Sequence, residues 1–165
     1  MRKIFYIETL KTWINYFKIV HLRNIIANFV MPLIVILLIM YFNDKTYNNN
    51  VYRTFLGSVI TASSLIVGFS YSTYLSIISS NSINIQKLKE KEMNNKKMSL
   101  YEALLTKMNF VIINVIFSLM CSLIILLFEF YNRLVVLLIL YVLIASILVI
   151  LEIQTNIHQI FRKNI

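Results

Sequence analysis

Four long apolar runs constrain this chain more than any other feature: Ile25–Phe42, Phe55–Ile78, Phe110–Phe128 and Leu134–Leu151. Each approaches or exceeds the ~20 residues that carry a helix across ~30 Å of hydrocarbon at ~1.5 Å per residue. Soluble domains are roughly half apolar, whereas this chain of 165 residues is 59% hydrophobic, with the excess gathered into the four runs. That concentration marks membrane spans and not an enlarged core. Too little chain lies outside the runs for a separate soluble domain. The expected fold is all-α, a single integral membrane domain over residues 1–165 with four transmembrane helices. Its parts are an interfacial helix at 1–23, transmembrane helices at 25–42, 55–80, 109–130 and 134–154, and a helical cytoplasmic hairpin at 81–108.

A net charge of +9 invites a nucleic-acid reading, but the placement of the cations has to be read first. Arg2, Lys3, Lys11, Lys18 and Arg23 precede the first run. Lys87, Lys89, Lys91, Lys96, Lys97 and Lys107 lie between the second and third, and Arg162 and Lys163 follow the fourth. Only Lys45, Arg53 and Arg133 occupy the other two loops, so 13 cations face 3 across the expected membrane. By the positive-inside rule both termini and the 81–108 connector are cytoplasmic. Topology alone therefore accounts for most of the charge. The first run is too long and too internal for a cleaved signal peptide, and no small-x-small cleavage site follows it. The single cysteine, Cys121, lies within a run and forms no internal disulfide.

The second run is unusual for a membrane span. Gly57, Thr61, Ser64, Gly68, Ser72, Ser76 and Ser79 recur at three- and four-residue steps and so form one stripe along a helix. Lipid does not reward such a stripe, because Leu and Ile partition better. Two uses compete: close helix packing through small-xxx-small contacts, or a hydroxyl-lined water path in an oligomer. The absence of proline from Leu56 to Glu92 predicts that the helix runs on past the headgroups. Ser99 and Glu102 form a capping-box pattern that opens the next helix. The turn is then confined to roughly residues 93–98, and the arms carry it about 10–15 Å into the cytoplasm.

Elsewhere the chain offers polar residues inside apolar segments. Residues 1–23 place Ile4, Ile7, Leu10, Ile14 and Phe17 on one side, with Tyr6, Trp13 and Tyr16 as rings suited to headgroup depth. Pro32 predicts a kink in the first span, and Asn28 lies one turn before it. Asn114, Ser118 and Ser122 share a face of the third span, expected to meet the second span's stripe or a symmetry mate. The fourth span, nearly all Leu, Ile and Val, reads as the lipid-facing helix. Glu152 at its inner end is expected to reach water or to pair with Lys107 or Arg23.

No catalytic constellation is present. His21 and His158 are far apart, and no metal-ligand spacing, phosphate loop or nucleophile elbow occurs. No cofactor, metal site or enzymatic activity is expected. Inverted-repeat transporters need matched broken helices, and Pro32 has no counterpart.

Two functions fit. One is a pore-forming homo-oligomer, since a single four-helix chain cannot enclose a water path. Thr61, Ser64, Gly68, Ser72, Ser76, Asn114 and Ser118 are its candidate lining, and the hairpin lysines form a basic crown able to bind a polyanion through phosphates. The other is a non-conducting membrane subunit, such as an immunity protein, a sensor or a docking partner for a cytosolic protein. In layout, a short tetraspan chain with the run Thr61-Ala-Ser-Ser-Leu-Ile-Val-Gly-Phe-Ser70 and a Lys-rich hairpin resembles membrane effectors of bacterial anti-phage defence. The Hailong type is the nearest, and the membrane component of Kiwa is another. That resemblance implies a tetrameric channel of the bacterial inner membrane whose opening depolarises the cell. It also implies gating by single-stranded DNA oligomers that a partner nucleotidyltransferase makes. Lys87, Lys89, Lys91, Lys96 and Lys97 would then be the DNA-contacting candidates.

Overall fold

A computed structural model describes residues 2–42, 48–80, 83–91 and 98–162, and these are helical, with no strand among the described residues. The helices are α1 (Arg2–Ile19), α2 (Leu22–Ile25), a π-helical turn at Ile26–Val30, α3 (Met31–Phe42), α4 (Asn49–Ser79), α5 (Ile83–Glu90), α6 (Leu100–Phe128) and α7 (Arg133–Arg162). Four helical stretches are long and apolar enough to cross a membrane: Leu22–Tyr41, Asn49–Ser79, Leu100–Phe128 and Arg133–Ile157.

α6 packs along both α4 and α7, α4 also touches α7, and α3 and the π-helical turn rest on α7. Only 17% of the apolar window of each of the first two spans is buried, against 39% and 33% for the last two, so α3 and α4 are the least buried. α7 is thus a central helix and not the lipid-facing one its composition implied. Val136, Ile139, Leu143, Ala145, Ser146, Val149 and Ile153 are all buried along it. In hydrocarbon an apolar surface has no preference between lipid and protein, so richness in Leu and Ile does not reveal which helix lies outside.

Local chemistry explains the joints. Ser99 opens α6 with a reciprocal cap: its hydroxyl accepts from the Glu102 N–H at 3.2 Å, and its own N–H donates to the Glu102 carboxylate at 3.0 Å. The expected continuation of α4 through the 80s does not occur. The helix ends at Ser79, and Ser80 is extended at φ −78° and ψ 126°. Ser79 and Ser80 are residues whose side chains can compete for backbone hydrogen bonds and so favour an exit from the helix. α5 then starts afresh and lays Ile85 and Leu88 against α6. The Leu100 N–H donates to the Lys91 carbonyl at 2.9 Å and ties the end of α5 to the start of α6.

A π-helical turn, Ile26–Val30, stands just before Pro32, where a kink was expected. Proline offers no N–H to the carbonyl four residues back, and a local π adjustment relieves that defect. At the other end of the spans, α6 closes on Glu129 in the left-handed region (φ 52°), and the Asn132 side chain accepts from the Leu134 N–H at 2.9 Å as α7 begins. α1 docks on α6 of its own chain: the fully buried Tyr16 ring stacks on Phe110 at 3.8 Å, with Trp13 at 5.6 Å from the same ring.

Candidate functional site

Two lines of small polar residues run along neighbouring helices, and they point in opposite directions. On α4, Leu56, Val59 and Ser63 are the buried positions. Thr61, Ser64, Gly68, Ser72 and Ser76 are all exposed. At ~100° per residue these five lie about half a turn from the buried three. The stripe therefore faces away from the rest of the subunit.

Neither glycine of the stripe answers to a neighbour among the described residues. A Cβ placed on Gly57 or Gly68 would meet nothing within 4 Å, and both have ordinary negative φ. A glycine inside a helix costs about 0.5–1 kcal/mol relative to alanine, so their use here has no explanation inside one subunit. The hydroxyls are partly self-satisfied. Thr61 donates to the Gly57 carbonyl at 3.0 Å and Ser64 to the Ile60 carbonyl at 2.8 Å, leaving the oxygen lone pairs to accept from outside.

Asn114 and Ser118 do not join that surface. Both are buried inside the subunit, with Ser122 on the same α6 face, and the Ser122 hydroxyl donates to the Ser118 carbonyl at 2.8 Å. Ser63 of α4 is buried as well, and among the described residues the Ser63 and Ser118 hydroxyls have no hydrogen-bond partner. Small buried residues of this kind let packed helices approach closely. Nearer the lysine-rich end the Asn109 amide of α6 donates to the Tyr74 hydroxyl of α4 at 3.5 Å.

The hairpin lysines are only partly described. Lys87, Lys89 and Lys91 lie on or just after α5, while Lys96 and Lys97 lie outside the described residues. Lys89 sits over the Tyr101 ring at 5.0 Å from its centroid, a cation–π contact that joins α5 to α6.

A buried polar node lies at the same end and was only half visible beforehand. Glu152 of α7 pairs with Lys107 of α6, as one of its two expected partners. Two further donors complete it: the Asn24 amide reaches Oε1 at 2.9 Å, and the Asn28 amide reaches Oε2 at 2.6 Å. Asn28 stands on the π-helical turn and also approaches the Tyr16 hydroxyl at 3.5 Å. Burial, opposed by the Asn28 hydrogen bond and reinforced by the Glu152 charge, pushes the Tyr16 phenol up to about 12, so it stays protonated at ordinary pH. One carboxylate thus joins α2, the π turn, α6 and α7, with α1 latched on through Tyr16. The participation of Asn24 and Tyr16 had no signal in helical spacing; only Asn28, an amide inside an apolar run, pointed toward a buried partner.

Among the described residues no group of His, Cys, Asp and Glu is placed to hold a metal ion. Comparison with protein-family models, with curated proteins and with solved structures returns no match for this chain.

Proposed function

We propose that the chain is a pore-forming membrane protein that acts as a homo-oligomer, with the outer face of α4 turned toward the shared axis. One observation carries this reading: the small polar stripe of α4, Thr61, Ser64, Gly68, Ser72 and Ser76, is exposed on one of the two least buried spans. In a lone subunit that stripe would meet acyl chains, which gain nothing from it. Around an axis the same hydroxyl oxygens accept hydrogen bonds from water and solvate cations without strong charge selectivity. Asn114 and Ser118, buried inside the subunit, do not share this outer face.

The charge asymmetry supports cytoplasmic termini and a cytoplasmic hairpin. In that orientation the α5 lysines, repeated around the axis, form the surface on which an anionic ligand such as a DNA oligomer acts. A ligand gates only by binding open and closed states differently. Tetrameric assembly, a bacterial inner-membrane setting, depolarisation in anti-phage defence and the partner nucleotidyltransferase extend this reading along the resemblance in layout.

The back-bonded Thr61 and Ser64 favour a second reading, in which the same face makes a dry helix contact in a non-conducting subunit. Single-channel recording of the purified protein in planar bilayers separates the two. Discrete conductance steps support the pore, and silence at saturating protein leaves the dry contact. Reversal of Lys96 and Lys97 to Glu, with oligonucleotide binding measured at two salt concentrations, tests the ligand. Binding that is insensitive to both reversal and salt rejects the polyanion.

A further inference from the structure

α1 carries an apolar side that its own subunit leaves uncovered. Tyr16, Ile19 and Val20 are buried, and the Tyr16 ring stacks on Phe110 of α6. Leu10, Trp13, Ile14 and Phe17 are exposed. At ~100° per residue these four lie about a third of a turn from the buried three. Lys11 and Lys18, exposed as well, lie about another third of a turn further round. The helix thus has three sides, in the order protein, apolar and charged. A helix packed on a protein in water needs one apolar side, the one that meets its support. A helix lying in a bilayer surface beside its own spans needs all three: one against protein, one down into lipid and one up to water.

The depth of α1 agrees with that arrangement. It ends at Ile19, just before the first span begins at Leu22. Its rings meet side chains that belong to the spans, Phe17 at 5.5 Å from Phe29 and Trp13 at 5.6 Å from Phe110. Phe29 lies about 10 Å along the helix from Leu22 at ~1.5 Å per residue. Interfacial helices bury their apolar sides ~5–10 Å into the boundary between headgroups and acyl chains. In the chain the uncovered side is followed by Leu22, Ile26 and Val30, exposed residues of the first span.

We propose that α1 lies in the leaflet at the lysine-rich end of the spans, with Leu10, Trp13, Ile14 and Phe17 in lipid and Lys11 and Lys18 toward water. Residue order predicts an interfacial helix over 1–23 but does not say which rings meet protein and which meet lipid; the burial assigns them. A soluble partner would have to enter the bilayer to reach this side, and the experiment distinguishes lipid from a second copy. The inference does not depend on conduction.

The test uses the full chain in phosphatidylcholine vesicles, with Trp13, the single tryptophan, as the probe. Lipid brominated near the glycerol end of its acyl chains is expected to quench Trp13 fluorescence at least about twofold more than lipid brominated near the methyl end. Iodide in the water should quench little. Two adjacent residues on different sides give the second readout: Ile14→Cys and Asn15→Cys, each spin-labelled in a Cys121→Ser background. The label at 14 should collide with oxygen more than with a water-soluble nickel complex, and the label at 15 should show the reverse. Strong iodide quenching, or nickel access at both positions, places α1 in water and overturns the proposal. Loss of both oxygen and nickel access at 14 places a protein on this side and overturns it equally, and spin–spin broadening then identifies that protein as a second copy.

Discussion

α4 and α6 carry almost the same signal, a line of small polar residues at helical spacing, and use it in opposite ways. On α6 the line Asn114, Ser118 and Ser122 is buried between helices of its own subunit. It continues toward the lysine-rich end to Lys107, which meets Glu152. On α4 the line from Thr61 to Ser76 is turned outward, with open space over Gly57 and Gly68. Periodicity identifies a face of a helix but does not say what that face meets. The inner line is therefore a folding device, and we assign the outer one to assembly and conduction.

Substitutions separate the two lines. The largest effect belongs to the buried pair: Lys107→Met leaves Glu152 uncompensated and should lower stability in detergent by about 3–5 kcal/mol. Lys107→Met combined with Glu152→Leu should recover most of that loss, because a buried pair replaced by apolar residues is often neutral. A double variant as unstable as the single one would show that Asn24 and Asn28 need the carboxylate for themselves.

Next comes a matched pair of serines. Ser118→Leu overpacks the interior of the subunit and should cost about 1–3 kcal/mol. Ser72→Leu faces open space and should leave subunit unfolding within about 0.5 kcal/mol of the parent, yet abolish conductance. Equal stability losses in the two would erase the distinction between the lines.

Smaller effects sharpen it further. Ser99→Ala, which removes the α6 cap at a point remote from both lines, should cost about 1 kcal/mol and leave conductance per open channel unchanged. Gly68→Ala should stabilise the isolated subunit by about 0.5–1 kcal/mol, since the methyl meets nothing. If glycine serves close approach between copies, the same change should weaken the oligomer on a native gel.

Much of the architecture was legible from residue order alone. The four spans follow from length and apolarity, and the Ser99–Glu102 box marked the start of α6. Glu152 at the end of its span pointed to water, Lys107 or Arg23, and of these it meets Lys107. Other features were hidden for physical reasons. The break at Ser80 depends on side chains competing for backbone bonds, which the absence of proline does not report. The central position of α7 was masked because lipid and protein are equally apolar solvents for Leu and Ile. The inward turn of Asn114 and Ser118 depends on which helices pair, and a 3.6-residue period contains no information about partners.

The central claim, that the α4 stripe faces water and the α6 line does not, is tested most directly by thiol accessibility during recording. In a Cys121→Ser background, Ser72→Cys and Ser118→Cys channels would be exposed to a charged, water-soluble methanethiosulfonate while current is measured. The account predicts rapid, irreversible block at position 72 and no change at position 118. Block at 118 with position 72 inert would contradict it and move the water path inside the subunit.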